Sequence, residues 1–348
     1  MKIILDAMGG DNAPEAAVLG AFEAAKAFGT EIILVGRGEA ILEVMGRHGI
    51  TDLPAGVEIA NAEDVVDMHD DPASIIHKRK NSSMVIGLKL LADGKGDAFV
   101  SAGSTGALLT GATLLVKRVK GIRRASMAPA MPNKKGGKTV ICDCGANAEC
   151  TPEFLLQFGL VASAFAKKQL GIAEPRVGLL NIGTEDSKGT QLQKDAYALL
   201  RDADAKGLLR FVGNVEGRDV PLGEVDVVVC DGFAGNVLLK SIEGTAVFMG
   251  SLMKRMFKKN LLSKLGYLLC SSGVKEMMKL MDYREIGGTQ FLGIKKPVIK
   301  AHGSSDALAF RNAVKQAADA ARNDITPELE HALQQRELSE RGRIHHYP

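Results

Sequence analysis

Short apolar runs rich in Val, Ile and Leu recur along the chain, and each breaks into a polar turn. "KIIL" runs into "DAMGGDNAP", "EIILV" into "GRGEA", "DAFV" into "SAGSTG" and "TVIC" into "DCGAN". "VGLLNI" then runs into "GTEDSKG", "VDVVVC" into "DGFAGN" and "PVIKA" into "HGSSDA". Runs of this length and composition suit strands buried on both faces. Most are followed by a stretch with helical patterning, such as "PEAAVLGAFEAAKAF" or "PEFLLQFGLVASAFAKKQL". Alternation of the two predicts an α/β fold with a doubly wound, mostly parallel sheet. Right-handed crossovers bring the strand-to-helix loops to the carboxyl edge, where such sheets bind ligands.

Those loops collect Asp6, Gly9, Gly10, Asp11, Ser101, Gly103, Ser104, Thr105, Asp143, Asn147, Lys188, Asp231, Asn236, His302, Ser304 and Ser305. Turn chemistry alone supplies Gly, Asn, Asp and Ser to any single loop. Their recurrence in so many loops on one side of the sheet points to a shared polar site. The stretch from Ala98 to Val116 carries no charge and is nearly long enough to span a bilayer. Its Ser-Gly-Ser-Thr-Gly core would leave polar groups facing lipid, so strand, turn and helix, starting near Ser104 or Thr105, fit better.

The chain has 348 residues, 46% hydrophobic and 24% charged, which predicts one α/β domain over 1–348. No linker, low-complexity tract or internal repeat divides it. A net charge of +3 is too slight for general nucleic-acid binding. There are five cysteines, and Cys142, Cys144 and Cys150 lack the paired CxxC spacing of a zinc site. Cys142 and Cys230 close apolar runs and read as packing residues. Reduced thiols, and an opening "MKIILDAMGGD" that reaches Asp6 after four apolar residues, suit the cytoplasm. His69 and His77 read as surface residues.

A glycine-rich turn before a helix presents unpaired N–H groups and a positive dipole end to an anion. "SAGSTG" offers that, with the hydroxyls of Ser104 and Thr105 added, and "AHGSSDA" repeats the device beside His302. Lys188 adds a positive charge in "GTEDSKG". Neither the Walker pattern nor GxGxxG occurs at these loops, so the sequence favours a small phosphate over a nucleotide. Gly-Ser-Thr-Gly lacks the GxSxG spacing, and no protein nucleophile stands out. Asp6, Asp11, Asp143 and Asp231 could meet at the edge, but each equally suits a turn or cap, and no metal site is expected.

Taken together, "DAMGGDNAP", "SAGSTGALL", "DCGAN", "NIGTEDSKG", "CDGFAGNVLLK", "MDYREIGG" and "HGSSDA" closely resemble the successive motifs of the PlsX-type phosphate acyltransferases of bacterial phospholipid synthesis. The resemblance runs in order from Met1 to about Asp324. It implies transfer of a fatty acyl group from acyl carrier protein to inorganic phosphate, for later use by a membrane glycerol-3-phosphate acyltransferase. It also implies a homodimer, peripheral membrane association at the inner face of the cell membrane, no cofactor, and a fold related to phosphate acetyltransferases and isopropylmalate-type dehydrogenases. Phosphate is then the nucleophile, which accounts for the lack of one in the protein. Under that reading Ser104, Thr105, Gly106, Ser304, Ser305 and Lys188 hold phosphate. Asn147, Asn236 or His302 face the thioester oxygen or the leaving sulfur, and Asp231 orients one of these donors. Acyl-coenzyme A is the alternative donor. A decarboxylating dehydrogenase of similar architecture is the more distant alternative, lacking a clear nicotinamide or metal site.

Composition changes at 249–285, expected to form a protruding helical segment. Met249, Met253, Met256, Met277, Met278 and Met281 cluster there, and between Lys254 and Lys279 the cations Lys254, Arg255, Lys258, Lys259, Lys264, Lys275 and Lys279 stand against the single acid Glu276. Three uses suit it. It can be a dimer or core helix pair, or a dock for acidic carrier protein through Arg255, Lys258, Lys259 and Lys264. It can also be a membrane-surface element inserting Leu261, Leu262, Leu265, Tyr267, Leu268 and Leu269. The residues from Thr326 predict a charged terminal helix opened by "TPELE" and a loose "RGRIHHYP" end.

Overall fold

The structure, a computed structural model, describes residues 1–280 and 282–334. Met281 and the "RGRIHHYP" end lie outside them. The first half runs β1 (Lys2–Asp6), α1 (Glu15–Phe28), β2 (Glu31–Gly36), α2 (Gly38–Arg47), β3 (Val57–Asn61), α3 (Ile75–Lys78), α4 (Ser83–Ala92), β4 (Ala98–Ser101) and α5 (Thr105–Gly111). A π turn, Ala112–Val116, prolongs α5. The middle holds β5 (Ser126–Ala128), β6 (Ala130–Pro132), β7 (Lys138–Cys142), α6 (Pro152–Leu170), β8 (Arg176–Leu180), α7 (Gln191–Ala205), β9 (Arg210–Val215), α8 (Asp219–Leu222) and β10 (Val227–Val229). The last part is α9 (Gly232–Lys258), α10 (Leu261–Leu280), α11 (Tyr283–Ile286), β11 (Gly288–Leu292), β12 (Val298–Ala301) and α12 (Ala307–Arg322).

The α/β, mostly parallel architecture is present, but its strands divide between two sheets. A seven-stranded sheet runs β3-β2-β1-β4-β12-β11-β5, and a five-stranded sheet runs β6-β7-β10-β8-β9. The chain crosses between them at Pro129. Proline has no N–H to continue a ladder, so β5 ends on β11 and β6 begins on β7, antiparallel in both cases. The sheets stay laced there: Cys144 N–H donates to the Met127 carbonyl at 2.9 Å and Ile141 N–H to the Pro129 carbonyl at 3.0 Å.

Period-2 alternation explains the layers. Ile3 and Leu5 of β1 face the core built with α1 and α12, whereas Ile4 faces the core built with α4 and α5. In the second sheet Val227 and Val229 face α6, and Val228 faces α9. These central strands thus bury both faces, which contributes roughly 1.5–3 kcal/mol per large side chain.

The composition change at Met249 falls inside α9 and marks no structural boundary. α9 starts seventeen positions earlier, directly after β10, because Asp231 caps it by accepting from Ala234 N–H at 2.8 Å. α10 folds back against it, held by the edge-on pair Phe257–Tyr267 at 5.3 Å. None of α10's residues is buried. The return is pinned by Arg284, which pairs with Asp282 at 2.6 Å and Asp306 at 3.1 Å. Residues 326–334 are helical, with Asp324 accepting from Thr326 N–H at 2.9 Å. No described helix is long and apolar enough to cross a membrane.

Candidate active site

The carboxyl edge of the first sheet gathers the loops after β1, β4 and β12. Asp6, fully buried, accepts from Ser101 Oγ at 2.7 Å and Met8 N–H at 3.0 Å. Ser101 Oγ in turn accepts from Gly103 N–H at 3.1 Å, which fixes the turn leading into α5. Burial pushes the Asp6 carboxyl above its usual range, so it serves the turn and leaves no charge in the open. Asp11 N–H donates to the Gly303 carbonyl at 2.8 Å, and Asn12 Nδ2 donates to the Ser304 and Ser305 carbonyls, both at 3.2 Å. These bonds lace the first loop of the chain to the last.

The helix starts of α5, α9 and α12, all near the candidate site, differ. Asp306 caps α12, accepting from Ala309 N–H at 3.0 Å, and Asp231 caps α9. A carboxylate already occupies each of those anion positions. The "HGSSDA" turn therefore does not repeat the open device of "SAGSTG". At α5 the N-cap Ser104 makes no side-chain cap bond, and the first-turn N–H groups of Thr105, Gly106 and Ala107 have no intrahelical acceptor. Ser304 Oγ lies 2.8 Å from His302 Nδ1. Ser305 is fully buried and its Oγ meets no hydrogen-bond partner among the described residues.

A cavity of ≈ 280 Å³ opens at this edge. Gly10, Asp11, Ala102, Gly103 and Gly303 form one side; Arg37, Asp64–Met68 and Arg79 form the other. Arg79 is held by Asp70 at 2.9 Å and Asp64 at 3.2 Å. Pro72 of the same segment overlies Gly106, so residues 64–79 form a strap across the α5 turn. A second cavity of ≈ 350 Å³ lies between α6, the starts of β8 and β9, and the 326–334 helix, on the opposite side of its sheet.

The second sheet supplies the other loops. Asp143, buried, accepts from Met127 N–H at 2.8 Å, Ala146 N–H at 3.3 Å, and Asn147 N–H and Nδ2 at 2.6 and 3.0 Å. Asn147 Nδ2 also donates to the Ala125 carbonyl at 2.8 Å. Its amide hydrogens are thereby spent inside the protein, which makes Asn147 a strut of the turn. Asn236 is exposed on α9 beside Gly145. Lys188 stands on the loop after β8, exposed, with Glu185 as ion-pair partner at 4.0 Å. No hydrogen bond or ion pair among the described residues links it to Ser104–Gly106.

α9 joins the two halves. It starts on the second sheet, yet Lys240 in its third turn acts on His302 of the first. Partial burial, then the Lys240 and Lys300 cations, hold the His302 imidazole below the usual histidine range. Sequence reasoning missed Lys240, Lys300, Asn12, Arg37 and Arg79. Lys300 carried a signal, a charge inside an apolar strand, and Asn12 and Lys240 lie within the quoted loop motifs. The cysteines are packing residues: burial raises the thiol pKa of Cys142, Cys144 and Cys230 far out of reach of nucleophilic use. His69 and His77 are exposed. No cluster of three or more metal-ligating side chains occurs among the described residues.

Comparison with known proteins gives this arrangement a context. The sequence profile of the "Fatty acid synthesis protein" family matches residues 1–327. The chain is 44% identical to a phosphate acyltransferase of Caldanaerobacter subterraneus subsp. tengcongensis over 340 residues, 97% of this chain and 98% of that one. It is 44% identical to another from Brevibacillus brevis, covering 98% and 99%. A phosphotransacetylase structure from Streptococcus pyogenes superposes with TM-score 0.62 at 19% identity, covering 92% and 94%. A putative 4-hydroxythreonine-4-phosphate dehydrogenase from Salmonella typhimurium follows at TM-score 0.53 and 13% identity, covering 92% and 98%. At those identities the structural likeness shows the fold alone, while the match of profile and relatives over nearly the whole chain shows descent. The chain belongs to the phosphate acyltransferases, the family that its loop motifs resembled.

Proposed function

We propose that the protein transfers a fatty acyl group from acyl carrier protein to inorganic phosphate, releasing acyl phosphate and the carrier thiol. The observation that carries this is the uncapped α5 turn, Ser104–Gly106, next to a cavity edged by Arg37 and Arg79, while the starts of α9 and α12 are filled by aspartates. Phosphate binds there, and Ser305 Oγ gains the acceptor or donor that a buried hydroxyl otherwise lacks, an omission worth about 1–3 kcal/mol. Lys188 closes on phosphate from the second sheet. A phosphate oxygen attacks the thioester carbonyl while Asn236 and His302 donate to the developing oxyanion. Alignment of the two substrates supplies roughly 7–11 kcal/mol of barrier lowering, and each oxyanion donor about 3–4 kcal/mol more.

The test is a direct assay with palmitoyl-acyl carrier protein and orthophosphate, trapping acyl phosphate as the hydroxamate. Phosphate-dependent product is expected, and Lys188→Ala is expected to lose turnover chiefly at limiting phosphate. Product from palmitoyl-coenzyme A alone would transfer the reading to that donor. No product from either would end it.

The α9–α10 hairpin supports membrane-surface association. Leu261, Leu262, Leu265, Leu268 and Leu269 are 82%, 80%, 55%, 68% and 84% exposed. At 3.6 residues per turn they fall within an arc of about 120°. Exposed Arg255, Lys258, Lys259 and Lys264 flank them, the pattern of a helix that lies on anionic lipid. Leu261→Glu with Leu268→Glu is expected to release the protein from phosphatidylglycerol vesicles by at least about tenfold. Unchanged sedimentation with vesicles would end this reading, and lost dimerisation would assign the leucine face to a second copy.

A further inference from the structure

Lys300 is the only charged residue of β12, and it sits half-buried where that strand reaches the site. Its Nζ donates to the Ala102 carbonyl at 3.3 Å, in the turn that leads into α5, and to the Ala301 carbonyl. An ammonium has three N–H donors, and no third acceptor meets it among the described residues. No carboxylate lies within ion-pair distance of it among them. Lysines in folded proteins usually snorkel to solvent or pair with an acid. This one does neither, and its ammonium abuts the turn beside which the two substrates would meet.

We propose that Lys300 is the proton carrier of the transfer, a role that rests on the acyl-transfer reading above. As the tetrahedral adduct collapses the C–S bond breaks, and the Lys300 ammonium gives one proton to the departing sulfur. The neutral amine then takes the remaining hydroxyl proton of the phosphate that has become bonded to the acyl carbon. Thioester and hydrogenphosphate thus become acyl phosphate and thiol, with Lys300 restored and no co-reactant consumed. The environment is tuned for it. Burial, with the Lys240 cation of α9 opposed by Asp11 of the β1 loop, pushes the Lys300 pKa down to about 8, close to that of a thiol. His302 lies two residues away and is held below its usual range, while Glu243 of α9 acts on it in the opposite sense.

The experiment is the pH profile of kcat at saturating phosphate, from pH 6 to 10, for the wild type, Lys300→Met and Lys300→Arg. The wild type is expected to lose turnover as pH rises through about 8. Lys300→Met should fall by roughly 10²–10⁴-fold and lose that alkaline limb. Lys300→Arg keeps the charge but cannot release its proton, so it should fall at least ~10²-fold with the KM for phosphate changed by less than about threefold. A wild type without an alkaline limb, a limb persisting in Lys300→Met, or a fully active Lys300→Arg would each overturn the assignment. If Lys300→Met does not fold, the wild-type profile and Lys300→Arg decide. Failure of the wild type to form any acyl phosphate would remove the functional reading and this role together, whereas the other outcomes strike only Lys300.

Discussion

Gly235→Ala is expected to lower stability by about 3–5 kcal/mol, the range reserved for severe main-chain or core disruption. A Cβ built there would lie 1.9 Å from the Asp143 carbonyl oxygen and 2.7 Å from Cys230 Sγ. The carbonyl is main chain, so no rotamer relieves the clash. Either α9 lifts from the turn or Asp143 shifts, and both movements dismantle the half of the site that Asn147 and Asn236 occupy. Gly244 of the same helix is the control, since a Cβ there meets nothing within 4 Å. Gly244→Ala should be neutral or stabilising by up to about 1 kcal/mol. Equal denaturation midpoints for the two variants would show that α9 does not press on Asp143.

Asp143→Ala is expected to cost about 3–5 kcal/mol as well, by a different route. The carboxylate is the acceptor for Met127, Ala146 and Asn147 N–H groups and for Asn147 Nδ2. Alanine leaves buried donors unmet, each worth about 1–3 kcal/mol, partly regained through water. Because Met127 belongs to β5 and Asn147 to the β7 loop, the lesion also loosens the joint between the sheets. Urea denaturation reads the loss, and a change smaller than about 1 kcal/mol would mean that other acceptors hold this turn.

The strands were legible because burial on both faces writes an unmistakable run into the sequence: "KIIL", "AFVS", "TVIC" and "VVV" all became parallel strands. Their division between two sheets was not. It depends on β5 and β6, three residues each around Pro129, too short to show any period. The loops of the site were legible as turns, since Gly, Asp, Asn and Ser announce them. What each polar group spends itself on was not. Asp231 and Asp306 cap helices and Asn147 braces a turn, distinctions set by contacts that form only on folding. Asn12 illustrates the limit, because its partners lie 292 and 293 residues away. Lys300 could have been found, as a lysine in a doubly buried strand contradicts the pattern around it.

α9 has one further consequence. It runs unbroken for 27 residues, about 40 Å at 1.5 Å per residue. Asn236 and Lys240 stand in its opening turns at the cleft, and Arg255 and Lys258 close its far end. Under the proposed reading, chemistry and anchorage are two ends of one shaft. Whatever grips the leucine tip sets the stand-off of the cleft from that surface, and any twist applied there arrives at Lys240 undiminished by a hinge.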